Sequence, residues 1–369
     1  MGGAFWYMEE NLVLILFLFL PVAAGGALWF FFHFHLRHRS SPGWGKLIAG
    51  NFLVLIFLLT LIPLAGELYF RFFDDSTVPV TVNHTNTKGA KRWMERHYRE
   101  SVSGVRDDIA YSFNIADGKR RVSFVGDSFT AGHGIKDIRD RFANRLRRLH
   151  PEWEVHLLAI YGADTGEEIY VIENCIEKDY EFDQVVLVYN LNDISDIMPE
   201  WERVLESLDV GADKQSWLER NSYFVNILSY RWRISRNPDM AKYFDFVKTG
   251  YAGPLWEQQK KRLRQARDLV ETHGAHFAVV TFPFMHALGQ NNYEYQFIHD
   301  QLDAFWKELN VPHLDLLPVF RDLPPRKITV NRYDAHPNEF ANALAAEKID
   351  VFLCGLMRTN APPARFNNR

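Results

Sequence analysis

Residues 120–132 read RRVSFVGDSFTAG, and this stretch decides the fold. Val122, Phe124 and Val125 are the β-branched and aromatic residues of a short strand, which Gly126 ends. Asp127-Ser128 then offers a turn or a helix cap, and also a hydroxyl at the carboxyl end of a strand. Alone, a Gly-Asp-Ser triplet is common turn chemistry. Its meaning depends on what surrounds it.

Outward from this strand the pattern alternates. Asp137 to Leu149 is amphipathic, with basic residues on one side, and predicts a helix. EVHLLAIYG (154–162) predicts a second strand, Thr165 to Lys178 a helix with an acidic first turn, and DQVVLVYNLND (183–193) a very apolar third strand. Leu255 to His273 predicts a long charged helix, and HFAVVTFPF (276–284) a fourth strand. Gln301 to Leu309 reads as a helix, PHLDLLPVF (312–320) contains a short fifth strand, and Asn338 to Leu353 closes the chain with a helix. Strands alternating with helices argue a parallel sheet covered on both faces, and strands this apolar fit burial on both sides. The rhythm breaks from Ile194 to Gly253, an aromatic-rich stretch that reads as a helical insertion and a candidate cap over the site.

Two uncharged runs precede this domain. Residues 12–32 and 47–66 carry no Asp, Glu, Lys or Arg. At 1.5 Å per residue, each is long enough for a ~30 Å hydrocarbon core. A cleavable signal peptide fits poorly, because the start carries Glu9 and Glu10 and no basic residue. The link holds Arg37, Arg39 and Lys46 without an acid, which places it in the cytoplasm and both termini on the other side. The expected organisation is a two-helix membrane anchor (1–73), a polar stalk and pre-domain segment (74–118), a catalytic domain (119–356) and a tail (357–369). The expected location is the cell membrane, with the catalytic domain on the periplasmic or extracellular side.

The chain has 369 residues and a net charge of −4, so no basic field argues for nucleic acid as a partner. Cys175 and Cys354 lack metal-ligand spacing and read as buried apolar thiols. His273 and His276 flank the fourth strand without carboxylate or thiol partners at ligand spacing, so no metal site is expected.

In a parallel α/β sheet, ligands sit beyond the carboxyl ends of the strands. Just past those ends stand Asp127-Ser128, Tyr161-Gly162, Asn192-Asp193 and, before the last helix, Asp334-Ala335-His336. A hydroxyl, a glycine N–H, an amide, an imidazole and a carboxylate form the set that acyl transfer needs. Serine is a poor nucleophile until a base removes its proton, and imidazole has a suitable pKa. The developing oxyanion needs preorganised donors, which the Ser128 and Gly162 N–H groups and the Asn192 side chain can supply. Asp334 would fix the His336 tautomer. His133, five residues past Ser128, could line the pocket but reads better as a surface imidazole, and Asp127 reads as a shaper of the turn.

The blocks GDSFTAG (126–132), YGADT (161–165), LND (191–193) and DAHPN (334–338) resemble the four signature blocks of the SGNH (GDSL-type) hydrolases, over about residues 120–355. The resemblance implies a flavodoxin-like three-layer α/β/α fold, hydrolysis of esters or transfer of acyl groups, and no cofactor. By position it implies Ser128 as nucleophile, His336 as base, Asp334 as its partner, and Ser128, Gly162 and Asn192 as the oxyanion hole. Two positions depart from the family pattern. One residue, Ala335, separates the acid from the histidine where two are usual. Asn190 stands where the third block usually has glycine, which would alter the backbone there. Gly104-Val105-Arg106-Asp107 resembles a segment preceding the nucleophile block in membrane-tethered bacterial members and is expected to pack beside the site. The expected activity is a membrane-anchored serine esterase acting on a small-molecule or glycan ester. An O-acyltransferase with the same residues and a non-catalytic glycan-binding membrane protein are the alternatives.

Overall fold

The structure, a computed structural model, describes residues 2–37, 43–77, 87–208, 214–290 and 292–359. Residues 78–86 of the expected stalk and the tail from residue 360 lie outside them. The chain forms two compact units, one comprising Met1–Ser76, Asn86–Arg92 and Asp209–Asn237, the other Thr77–Thr85, Trp93–Leu208 and Pro238–Arg369.

The larger unit is built on a five-stranded sheet of β1 (Arg120–Gly126), β2 (Trp153–Ala159), β3 (Gln184–Asn190), β4 (His276–Phe282) and β5 (His313–Asp315). All neighbours pair parallel, in the order β2-β1-β3-β4-β5. A two-stranded antiparallel hairpin of β6 (Thr329–Asn331) and β7 (Asp334–Pro337) stands apart from it. Every residue of β3 is buried. Each of its fully buried Val and Leu side chains favours the sheet by roughly 1.5–3 kcal/mol, so the central strand is held from both faces.

The connections fix the layers. Parallel crossovers are right-handed, so the helix leading from β1 leftward to β2 (Phe142–Leu149) lies on one face, while Thr165–Glu177, Pro254–Thr272 and Gln296–Glu308, which lead rightward, lie on the other. Glu339–Thr359 packs on Phe142–Leu149, and Thr165–Glu177 packs on Pro254–Thr272. This is the three-layer arrangement expected from the alternation. The strand order reverses between β2-β1 and β1-β3, and crevices open at such a point at the carboxyl edge of the sheet.

Three helix boundaries differ from the sequence reading; the last helix, expected to end at Leu353, runs on as Glu339–Thr359 into the expected tail. The segment predicted as one helix over 137–149 is a 3-10 turn, Ile138–Asp140, followed by an extended Arg141 and the helix Phe142–Leu149. The break has a tertiary cause. The buried Arg141 guanidinium donates to Arg106 O at 2.7 Å and Asn144 Oδ1 at 2.8 Å, which a helical Arg141 pointing outward could not reach. The helix predicted from Gln301 starts at Gln296 and buries Ile298, Leu302, Phe305 and Trp306 as one stripe. The thiols are free and half-buried rather than enclosed. Cys354 Sγ lies 3.6 Å from Asp350 Oδ1, which itself pairs with His150 Nε2 at 2.5 Å.

The polar segment before β1 carries the helix Lys88–His97 and then threads back to the sheet. Arg121 of β1 is fully buried and donates to the carbonyls of Phe113 and Asn114 at 2.8 Å each and to Glu154 at 2.8 Å. A buried guanidinium is tolerated because its donors meet acceptors.

The smaller unit holds the two apolar helices, Gly2–Phe31 and Trp44–Leu68, packed as a hairpin. Glu9–Leu36 and Trp44–Phe73 are long and apolar enough to cross a membrane. Their large side chains, among them Ile15, Phe19, Val22, Phe52, Leu58 and Ile62, point outward. The stretch read as one insertion is divided. Trp201–Leu208 and Pro238–Ala252 belong to the sheet unit, whereas Trp217–Asn221 and Tyr223–Arg236 belong to the hairpin unit.

Candidate active site

The site grows from the end of β1. A Cβ on Gly126 would collide with Thr130 Oγ1 and lie 2.9 Å from Val188 O, so only glycine lets the chain turn this close to β3. Asp127 then caps the single turn Ser128–Ala131, its carboxylate accepting from Phe129 N at 2.8 Å. The turn ends at Gly132, left-handed at φ +73°. This short strand–turn–helix places the Ser128 hydroxyl on the carboxyl edge of the sheet.

The β6–β7 hairpin carries the other two groups. Asn331 Oδ1 accepts from Tyr333 N at 2.8 Å and tightens its two-residue turn. In a strand, residues i and i+2 face the same side, so Asp334 and His336 point together while Ala335 points away. The single-residue spacing is therefore what a strand requires. His336 Nδ1 lies 2.5 Å from Asp334 Oδ1, and His336 Nε2 lies 2.7 Å from Ser128 Oγ. A carboxylate only accepts, so Nδ1 carries the proton and Nε2 presents its lone pair to the serine.

Electrostatics follow from burial and pairing. Burial alone would lift the Asp334 carboxyl, but the charges and hydrogen bonds of His336 and His133 outweigh it and hold the group well below the usual carboxylate range. Burial would lower the His336 imidazole; the Asp334 charge and hydrogen bond reverse this and raise it above the ordinary 6.5.

His133 is the residue the sequence reading misplaced. Expected at the surface, it is buried, because the turn at Gly132 folds it back under the hairpin. Its Nε2 lies 3.1 Å from Asp334 Oδ2 and 2.9 Å from Thr77 Oγ1. Its ring packs against Trp93, Tyr161 and His336, with centroids at 5.5, 5.4 and 4.5 Å. Asp334 thus has one imidazole on each oxygen.

Gly162 and Asn192 follow β2 and β3, the two neighbours of β1, and so flank Ser128 on either side. Gly162 takes φ +72°, a conformation that favours glycine. Asn190, in the place of the usual glycine, has φ −112° and caps the 3-10 turn Leu191–Ile197, so an L side chain costs nothing there. The Asn190 and Asn192 amides stand near enough to the buried Asp127 to favour its charged form. Asp127 itself is held by its cap on the Ser128–Ala131 turn. Burial pushes its carboxyl above the usual range, against the pull of the Phe129 N–H, His336 and the two amides.

The 104–107 segment supports this loop from behind, as expected. Arg106 is buried and donates to Gly132 O at 2.5 Å and Ala131 O at 3.3 Å, and also to Ile135 O. Asp107 accepts from Arg147 at 2.6 Å and from Tyr111 OH at 2.5 Å. Burial opposes ionisation at Asp107, and these partners overcome it and hold the carboxyl far below its ordinary value.

No protein-family model and no curated protein matches the chain. Several solved structures are similar in outline. A lipolytic protein of the G-D-S-L family from Veillonella parvula DSM 2008 is 15% identical, with 64% of this chain and 98% of that one covered and a TM-score of 0.38. An extracellular lipase from Streptomyces rimosus is 13% identical, with 64% and 99% covered and a TM-score of 0.38. A two-domain esterase active on acetylated mannans is 17% identical, with a TM-score of 0.36; the match covers 68% of this chain and 52% of that protein.

Proposed function

We propose that this protein is a membrane-tethered serine esterase that removes an ester-linked acyl group from an extracytoplasmic glycan or lipid. The observation that carries the reading is the unbroken chain Ser128–His336–Asp334, with contacts of 2.7 and 2.5 Å, at the reversal point of the sheet. Ser128 Oγ attacks the acyl carbon and its proton passes to His336 Nε2. The carbonyl oxygen becomes an oxyanion held by the Ser128 and Gly162 N–H groups and the Asn192 amide. As the intermediate collapses, the alcohol leaves with the proton from His336. Water repeats the sequence in the second half, giving up its proton to His336 and releasing the acid and free Ser128. A sugar hydroxyl in place of that water would give transfer. Turnover of p-nitrophenyl acetate and of O-acetylated glycans by the purified chain tests the reading; no ester cleavage by a folded protein would refute it.

The base must be neutral to accept the serine proton. Because the Asp334 charge raises the His336 pKa, kcat/KM is expected to rise with pH through a midpoint above 6.5. His133 acts as a positioning residue for Asp334. His133 Nε2 lies 3.1 Å from Asp334 Oδ2, and removing a close polar partner of a buried charge costs ~1.5–3 kcal/mol, so His133→Phe is expected to lower kcat by about 10- to 100-fold. With one fewer partner, Asp334 attracts the His336 proton more strongly, and the midpoint moves up further. A His133→Phe enzyme with unchanged kcat and an unmoved pH profile would show that His133 only fills space.

The anchor reading rests on the two exposed apolar helices and on the basic link. It assigns the link to the cytoplasm and the site to the opposite side. A C-terminal alkaline phosphatase fusion is expected to be active, and a C-terminal green fluorescent protein dark. The reverse pattern would overturn the orientation.

A further inference from the structure

The helix Tyr223–Arg236 is joined to the end of the second apolar helix by an unusually specific set of contacts. Glu67 is fully buried and accepts from Ser222 Oγ at 2.6 Å and from Phe224 N at 3.1 Å, so it caps the start of that helix from another element. Arg71 pairs with Glu67 at 3.3 Å. The Arg71, Lys88 and Arg92 cations all gather over the Tyr223 ring, 4.8–5.6 Å from its centroid. The Phe224 ring lies on Gly66, where any Cβ would collide with it. Phe70 extends the contact, with Phe224 at 6.3 Å and the Arg231 guanidinium at 5.8 Å.

This docking sets a depth. Gly66 is the last residue of the uncharged run, and Glu67 is its first charge. A helix seated on both is at the level where the uncharged run of the second apolar helix ends. One side of that helix is covered, with Ile227 and Tyr230 buried. The other presents Leu228 and Trp232, one turn apart, which are 46% and 58% exposed. Arg236 lies over the Trp232 ring at 5.0 Å. Tyr69, Phe72 and Phe73 of the hairpin are exposed as well and continue the apolar surface. An indole beside an arginine suits the boundary between acyl chains and headgroups, where the ring and the stem bury and the charge meets phosphate.

We propose that Tyr223–Arg236 is an interfacial helix, lying in the headgroup layer with Leu228 and Trp232 turned to the acyl chains and Arg236 toward lipid phosphate. It would give the protein a third membrane contact besides the two spans. The inference rests on the anchor reading, and the test separates the two.

The full chain carrying Cys175→Ala and Cys354→Ala would receive single nitroxide labels at Leu228→Cys, Trp232→Cys, Leu58→Cys or Glu308→Cys. Each would be placed in nanodiscs of phosphatidylcholine and phosphatidylglycerol. Leu58 is an exposed position of the second apolar helix and Glu308 an exposed position of the sheet unit. Relaxation by oxygen is expected to exceed relaxation by an aqueous nickel chelate at 228, 232 and 58, and to fall below it at 308. An aqueous pattern at 228 or 232 with a lipid pattern at 58 would overturn the interfacial helix and leave the anchor standing. Shielding from both reagents at 228 or 232 would show a protein surface there instead, and would overturn it equally. An aqueous pattern at 58 would overturn the anchor reading together with the proposal.

Discussion

Replacement of Ser128 by alanine is expected to abolish ester turnover and all covalent labelling by a fluorophosphonate probe. Ser128 Oγ is the atom within 2.7 Å of the His336 lone pair, and it is the atom that would be acylated. Alanine removes it without a packing change large enough to unfold the turn, because Asp127 still caps Phe129 N and Gly126 still passes beneath Thr130. Thermal unfolding should therefore be close to that of the parent chain. Asn192→Ala is the informative contrast. It leaves nucleophile and base in place and removes one donor to the oxyanion. Such a loss costs ~2.7–4 kcal/mol, or about 10²–10³ in kcat. Labelling should persist there and be slower, since phosphonylation also builds charge on an oxygen. A Ser128→Ala protein that still labels at a serine and still cleaves ester would place the nucleophile elsewhere, and the proposed site would fail.

Asp334→Asn is expected to lower kcat by roughly 10²–10⁴, at the scale that loss of an orienting carboxylate brings. The cause is specific to the geometry. Asp334 holds the proton on His336 Nδ1 at 2.5 Å. An asparagine amide can instead donate to Nδ1, which moves the imidazole proton to Nε2, where it can no longer accept from Ser128. The charge that raises the His336 pKa is also lost, so the acid limb of the pH profile should shift to lower pH. That shift distinguishes a loss of electrostatic support from simple misfolding, which would lower activity at every pH. Near-normal kcat with an unmoved limb would mean that another group orients the imidazole.

Much of this was legible in the chain itself. The strands between residues 120 and 284 are short apolar runs bounded by turn residues, so local periodicity and β-branching locate them. The chemistry-bearing side chains come directly after those strands, as the carboxyl edge of a parallel sheet requires. The hairpin, by contrast, had no legible signal. Thr329–Asn331 and Asp334–Pro337 are too short to show a period, yet they decide that Asp334 and His336 face one way. Arg106 could be suspected only from its place in the 104–107 segment. His133 offered only its place five residues past Ser128, because nothing local distinguishes a buried histidine from a solvated one.

What the sequence determined by itself was therefore the alternation of strand and helix, the two apolar runs, and which residues stand at strand ends. Each depends on near neighbours along the chain. The tertiary structure decided which of those residues meet. It brought Ser128 to His336 across 208 positions, turned His133 beneath Asp334, and set Tyr223–Arg236 against Gly66 and Glu67 rather than within the sheet unit. Such choices belong to the packing of distant surfaces. A local pattern specifies which face of an element is apolar, and only the competition among all those faces for burial specifies which one covers it.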